Sequence, residues 1–119
     1  MLTTLLQFNN HLTLLVQNLA KKYHSVVPLT SMNIIQFDIH SLFRSIIANP
    51  ASDPQTVGIK NITGWCPAYY DNGIRHGADF YDPSCGGLKL GQYLWLNNIH
   101  PTLTIYQAIA AQIAKSFGA

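Results

Sequence analysis

The chain is short of charge. Only 10% of its 119 residues are Asp, Glu, Lys or Arg, the net charge is +2, and the one basic cluster is the neighbouring pair Lys21 and Lys22. No Lys/Arg stripe with interleaved aromatics exists, so nucleic acid is not an expected partner. Long apolar runs are missing as well. None reaches the roughly 18 residues that would cross a bilayer, so no transmembrane segment is expected. The opening "MLTTLLQFNNHLTLLVQNL" is broken by Gln7, Asn9, Asn10 and His11. It has neither a basic start nor a small-residue cleavage site, so it is expected to be a mature helix and not a signal peptide of the chain's own. The histidines His11, His24, His40 and His76 are dispersed, with no H-x-x-x-H, and the cysteines form no C-x-x-C. Metal binding is therefore not expected, and no cofactor motif is present.

What is there is apolar. Hydrophobic residues make up 48% of the chain, too many for disorder. With so little charge, part of the surface is expected to be covered by something else. Cys66 and Cys85 lie in one Gly/Asp/Tyr-rich segment. Such a pair suits a disulfide made in an oxidising compartment, the alternative being two reduced thiols in a cytosolic core. The triplet Asn61-Ile62-Thr63 is the only N-glycosylation sequon, five residues before Cys66, and agrees with a secreted protein.

Leu5, Phe8, Leu12, Leu15, Val16 and Leu19 recur at helical spacing, which predicts an amphipathic helix near residues 2 to 23, with Lys21 and Lys22 complementing its C-terminal dipole. "SVVPLTS" is a linker or ragged strand, and "MNIIQFDI" reads as a short strand. In "HSLFRSIIANP", Leu42, Phe43, Ile46 and Ile47 share a helix face that Pro50 ends. Residues 51 to 90 carry turn chemistry throughout, a long irregular excursion of the functional or stapled kind. "YLWL" reads as a second strand. A last helix follows, with Ile105, Ile109, Ile113 and Phe117 on one face, Thr104 and Gln107 as a capping box, and Gly118 as its stop. No internal repeats occur. The alternation predicts an α/β fold with a parallel sheet. Two strands cannot cover three apolar helix faces, so strands are missing from the count.

His100 falls between the second strand and the last helix, where α/β folds bind ligands. Pro101 biases it toward an extended backbone and gives the ring a defined direction, which suits a general base. Capping a helix or packing on Trp95 would also account for it. The block "YLWLNNIHPT…QAIAAQI" resembles the last block of the GDSL esterase/lipase (SGNH hydrolase) family: an aromatic strand, Asp-x-x-His-Pro-Thr, then a helix. The order of "FNNHLTLLVQNLAKKY", "FDIHSLFRSIIANP", Cys66, Cys85 and the histidine block agrees with it over nearly the whole chain. The likeness is nearest to fungal secreted members such as the carbohydrate esterase family 16 acetylesterases.

The resemblance makes His100 the catalytic histidine and puts Asn97 where the pattern has the triad aspartate; Tyr106 stands where many members have a second histidine. It implies the C-terminal part of a three-layer α/β/α, flavodoxin-like sandwich, residues 1–119 forming a single partial domain whose N-terminal strands are missing. No Gly-Asp-Ser, G-x-S-x-G or G-x-N-D occurs in the sequence. The chain is thus expected to be the histidine-bearing end of a secreted ester hydrolase, inactive alone. Its partners would be an ester substrate (acetylated carbohydrate, short-chain acyl ester or lipid) and a missing N-terminal segment bearing the nucleophile. A non-catalytic, cystine-stapled binding domain is an alternative, as is a half that completes an active site in trans. Asn97 cannot supply a triad acid's charge. Asp38, Asp79 and Asp82 are the other carboxylates that could serve, although Asp38 fits a helix N-cap and Asp71, Asp79 and Asp82 fit turns. Tyr69, Tyr70, Phe80 and Tyr81 are expected either to line a pocket or to pack the loop around its disulfide.

Overall fold

The computed structural model describes residues 2–26, 34–72 and 75–118. Among the described residues four α-helices follow one another: α1 (Leu2–Val26), α2 (Ile39–Ala48), α3 (Pro67–Asn72) and α4 (Leu103–Ser116), with short 3-10 turns at Pro50–Ser52 and Leu90–Gln92. The chain divides into two compact units, Met1–Phe37 and Asp38–Ala119.

The described residues of the first unit are α1 and residues 34–37, which are irregular. The helix runs three residues beyond the expected end, so Lys21 and Lys22 lie inside it and not on its last turn. Thr13 Oγ1 donates to the Asn9 carbonyl one turn back, and Gln36 Nε2 donates to the same hydroxyl at 3.1 Å. Phe8, Leu12, Leu15 and Leu19, on the face expected to be apolar, are exposed. Of the linker "SVVPLTS", Ser25 and Val26 belong to α1 and the rest lies outside the described residues.

In the second unit α2 starts at Asp38, whose carboxylate accepts from the Ser41 N–H at 3.0 Å and the Ser41 hydroxyl at 2.7 Å. That is the local side-chain cap that a helix start needs. Ile46 is fully buried, with Leu42 and Phe43 packed beside it, whereas Ile47, expected on the same face, is exposed. Asn49 ends the helix in an extended conformation and caps the 3-10 turn that Pro50 opens.

Two small cores result. Ile46, Ile59, Leu94, Ile105 and Ala108 form one, between α2 and the inner face of α4. Cys66, Tyr69, Cys85, Leu90 and Tyr93 form the other. The Cys66–Cys85 disulfide is present, with Cα atoms 5.5 Å apart. Tyr69 lies edge-on to both Phe80 and Tyr93, and its hydroxyl donates to the Leu88 carbonyl. Of the loop aromatics, then, Tyr69 and Phe80 pack around the disulfide, while Tyr70 and Tyr81 are exposed.

The expected parallel-sheet sandwich is not formed: among the described residues there is no strand, only the isolated bridges Asn61↔Tyr93, parallel, and Trp95↔Pro101, antiparallel. Residues 34–38 of "MNIIQFDI" are irregular, and Met32 and Asn33 lie outside the described residues. "YLWL" fails as a strand for local reasons. Before it, Leu90–Gln92 is wound into a 3-10 turn. Alongside it, pairing begins where Lys60 and Asn61 donate to the Gln92 carbonyl and Leu94 donates to Asn61. It then stops, because the Asn61 side-chain oxygen takes the N–H groups of Thr63 and Gly64 and turns the chain away. A ladder needs consecutive pairs, and here each side allows only one.

The start of α4 also departs from expectation. Its N-cap is Thr102, not Thr104, and makes no side-chain cap bond. The Thr102 hydroxyl is spent on the Tyr93 carbonyl at 2.7 Å, and the Thr104 hydroxyl, inside the helix, donates to the Gly91 carbonyl at 3.1 Å. The buried face consists of Thr104, Ile105 and Ala108, with Ile109 partly covered; Ile113 and Phe117 are exposed. Gly118 closes the helix at φ +79°, donating to the Lys115 carbonyl.

Candidate functional site

His100 stands at the end of a tight loop, not past the end of a strand. The Leu96 N–H donates to the His100 carbonyl at 2.8 Å and the Thr102 N–H to the Leu94 carbonyl at 2.9 Å, so residues 94–102 double back like a narrow hairpin. Asn97 shapes the loop from inside. Its side chain is buried, and its amide oxygen accepts from the N–H groups of Ile99, at 2.9 Å, and His100, at 2.7 Å. Such Asx turns are a routine use of asparagine.

The same fold of the loop lays the His100 ring on the Asn97 amide. Nδ1 is 3.0 Å from Asn97 Nδ2 and 3.1 Å from Asn97 Oδ1. His100 itself is exposed, so Nδ1 is engaged while the residue stays open to solvent. The two ends of the loop, Leu94 and Thr102, are buried. Trp95 turns elsewhere: its indole N–H donates to the Ile62 carbonyl at 3.0 Å and its ring lies by Phe43. Tyr106 is exposed on the outer side of α4.

Among the described residues no carboxylate takes the triad acid's place; the side chain on the His100 ring is that of Asn97. Asp79 pairs with Lys89, at 3.0 Å. Asp38 caps α2, and the Ser41 N–H and hydroxyl hold its pKa below the usual carboxylate value. Asp82 accepts from the Ser84 hydroxyl and N–H, which lower its pKa likewise. Asp71 lies in α3. Asp53 is buried and accepts from Gln112 Nε2 on α4. Asn61, the sequon residue, is half-buried at the parallel bridge with its amide oxygen in use. Burial pushes the Tyr93 phenol up, the neighbouring Tyr69 adding to the effect, and its hydroxyl donates to the Cys85 carbonyl at 2.8 Å.

An open cleft of about 340 Å³ lies elsewhere in this unit, lined by Gln55, Gly58, Ala78, Asp79, Lys89, Gly91, Gln92, Thr104 and Gln107. Neither Asn97 nor His100 borders it. No motif announced it, because its lining is drawn from turn residues scattered over much of the chain. Thr102 was missed too; the only signal for it was its place directly after His-Pro. Among the described residues, no group of three His, Cys, Asp or Glu side chains converges on a metal-sized site, and no helix is long and apolar enough to cross a membrane. No protein-family model, curated protein or solved structure matches the chain.

Proposed function

We propose that this chain is the histidine-bearing segment of a secreted, GDSL-type ester hydrolase, acting on acetyl or other short-chain acyl esters once a Gly-Asp-Ser segment is supplied. The observation that carries the reading is the Asn97–His100 pair. Three residues apart, they meet at 3.0 Å with the histidine exposed at the foot of a helix. The Asp-x-x-His-Pro-Thr pattern, with Asn for Asp, needs that arrangement. The disulfide supports export through an oxidising compartment.

In this reading His100 faces the serine of the added segment. The serine oxygen attacks the ester carbonyl as its proton passes to His100, and the same proton then leaves with the alcohol. Water repeats the sequence on the acyl-serine, releasing the acid. The sequence has serines but no Gly-Asp-Ser block, so the chain alone supplies a base without an activated nucleophile or oxyanion donors.

The test is hydrolysis of p-nitrophenyl acetate. The purified chain should not exceed free imidazole, and adding a Gly-Asp-Ser segment, fused or in trans, should restore turnover that His100→Ala removes. Robust activity of the 119 residues alone, lost on mutating one of their own serines, would contradict the proposal. The open cleft favours a second reading, a cystine-stapled domain that binds a ligand without catalysis. It would be supported if no Gly-Asp-Ser block stood in frame upstream in the gene.

A further inference from the structure

We propose that Asn97 holds His100 predominantly in the tautomer that carries its proton on Nε2, so that the ring's free nitrogen rests as a hydrogen-bond donor and becomes a base only after tautomer exchange. The argument rests on what the Asn97 amide already does. Its oxygen accepts two backbone N–H groups, from Ile99 at 2.9 Å and His100 at 2.7 Å. An amide oxygen has two lone pairs, and both are taken. Turning the amide over would aim its NH2 at two N–H donors, so the loop itself fixes which end is oxygen.

With the oxygen so placed, the amide nitrogen lies 3.0 Å from His100 Nδ1. A proton on Nδ1 would face that NH2 donor to donor. A bare Nδ1 accepts from it. The ring's single proton then sits on Nε2. The 3.1 Å approach of Oδ1 to Nδ1 offers the opposite tautomer only a third, crowded bond on an oxygen already in use.

An aspartate in the same place would reverse this. Its two oxygens keep both backbone bonds and can only accept, so Nδ1 must carry the proton and Nε2 is left bare. Asn97 therefore sets what His100 can do. The ring as it stands can donate to an oxyanion or carbonyl, but it must exchange tautomers before it can take a serine's proton. The consequence for turnover rests on the ester-hydrolase reading; the tautomer does not.

The measurement is long-range proton–nitrogen correlation spectroscopy on the 15N-labelled chain, at a pH where His100 is neutral, with His100→Gln to assign its signals. Nε2 should resonate as a pyrrole-type nitrogen and Nδ1 as a pyridine-type one. The ratio of the Nε2–H to the Nδ1–H form should exceed that in Asn97→Ala by about tenfold, as one added hydrogen bond and one removed donor–donor contact would give. If Asn97→Ala fails to fold, urea-unfolded wild type provides the reference ratio. In Asn97→Asp the two signals should exchange. A majority of Nδ1–H in the wild type, or a ratio equal to the reference, would overturn the proposal. In the chain completed with a Gly-Asp-Ser segment, Asn97→Asp should raise kcat by a large part of the roughly 10⁴ that the reverse change removes in a serine protease. If the spectra agree and the completed chain does not hydrolyse esters, the tautomer stands and the hydrolase reading falls.

Discussion

Removing the disulfide is the perturbation whose size follows most directly from the structure. Cys66 and Cys85 are 19 residues apart and both buried. Closing a loop of about 20 residues removes about 3 kcal/mol of unfolded-state entropy in the chain-entropy model. The other ties on the segment do not depend on the cross-link: turn bonds such as Cys85 N–H to the Asp82 carbonyl, the Leu90 and Gly91 N–H groups on the Phe80 and Ala78 carbonyls, the Tyr93 hydroxyl on the Cys85 carbonyl, and the Tyr69 hydroxyl, which also accepts from the Asp82 N–H at 3.2 Å. For a unit of this size, 3 kcal/mol corresponds to a fall of roughly 12–24 °C in Tm. The assay is thermal melting followed by circular dichroism, on wild type with and without reductant and on Cys66→Ala/Cys85→Ala. Reduced wild type keeps both sulfurs in the core, so its difference from the double variant isolates their packing. The reasoning would be refuted if oxidised and reduced wild type melted within about 4 °C of each other, the shift expected from 1 kcal/mol or less.

Gly91→Ala should destabilise by about 1–3 kcal/mol in urea titrations, as overpacking does, because a Cβ there would meet the Ala78 Cβ at 2.7 Å and the Ala78 carbonyl at 3.0 Å. Gly58→Ala, with nothing within 4 Å of its added carbon, should stay within about 0.5 kcal/mol of wild type in the same titration. The Asp38 pKa is lowered in the folded state, so its cap should be fully effective above the unfolded carboxyl value of about 3.9 and be lost as pH falls through the lower folded value. Exchange of the Ser41 amide should accelerate across that acid window in wild type and not in Asp38→Asn; equal acceleration in both would sink the assignment. Leu94→Ala, which empties a fully buried position, should cost about 2–5 kcal/mol by the same urea titration.

What could be read in the sequence was local. Asp38 and Ser41 are three residues apart, and the cap follows from that spacing alone. Asn97 and His100 are equally close, so their meeting needs only a turn that asparagine makes by itself. The helix faces of α2 and α4 were legible in their first turns and wrong at Ile47, Ile113 and Phe117, where periodicity continues but the core does not. The sheet was not legible because a strand needs a partner far away in sequence. Nothing in "YLWL" reveals that Asn61 would turn its neighbour aside after one bridge. Thr104 matched a capping pattern, yet the helix began two residues earlier because the Thr102 hydroxyl is anchored on Tyr93.

The account's central claim is that His100, after exchange out of the tautomer that Asn97 favours, is the proton carrier of an ester-hydrolase site completed by a Gly-Asp-Ser segment. The most direct test is p-nitrophenyl acetate turnover by the completed chain, comparing wild type with His100→Ala at matched folding. The account predicts turnover well above free imidazole in the wild type and its loss in His100→Ala. Turnover equal in the two, or absent from both, would contradict it.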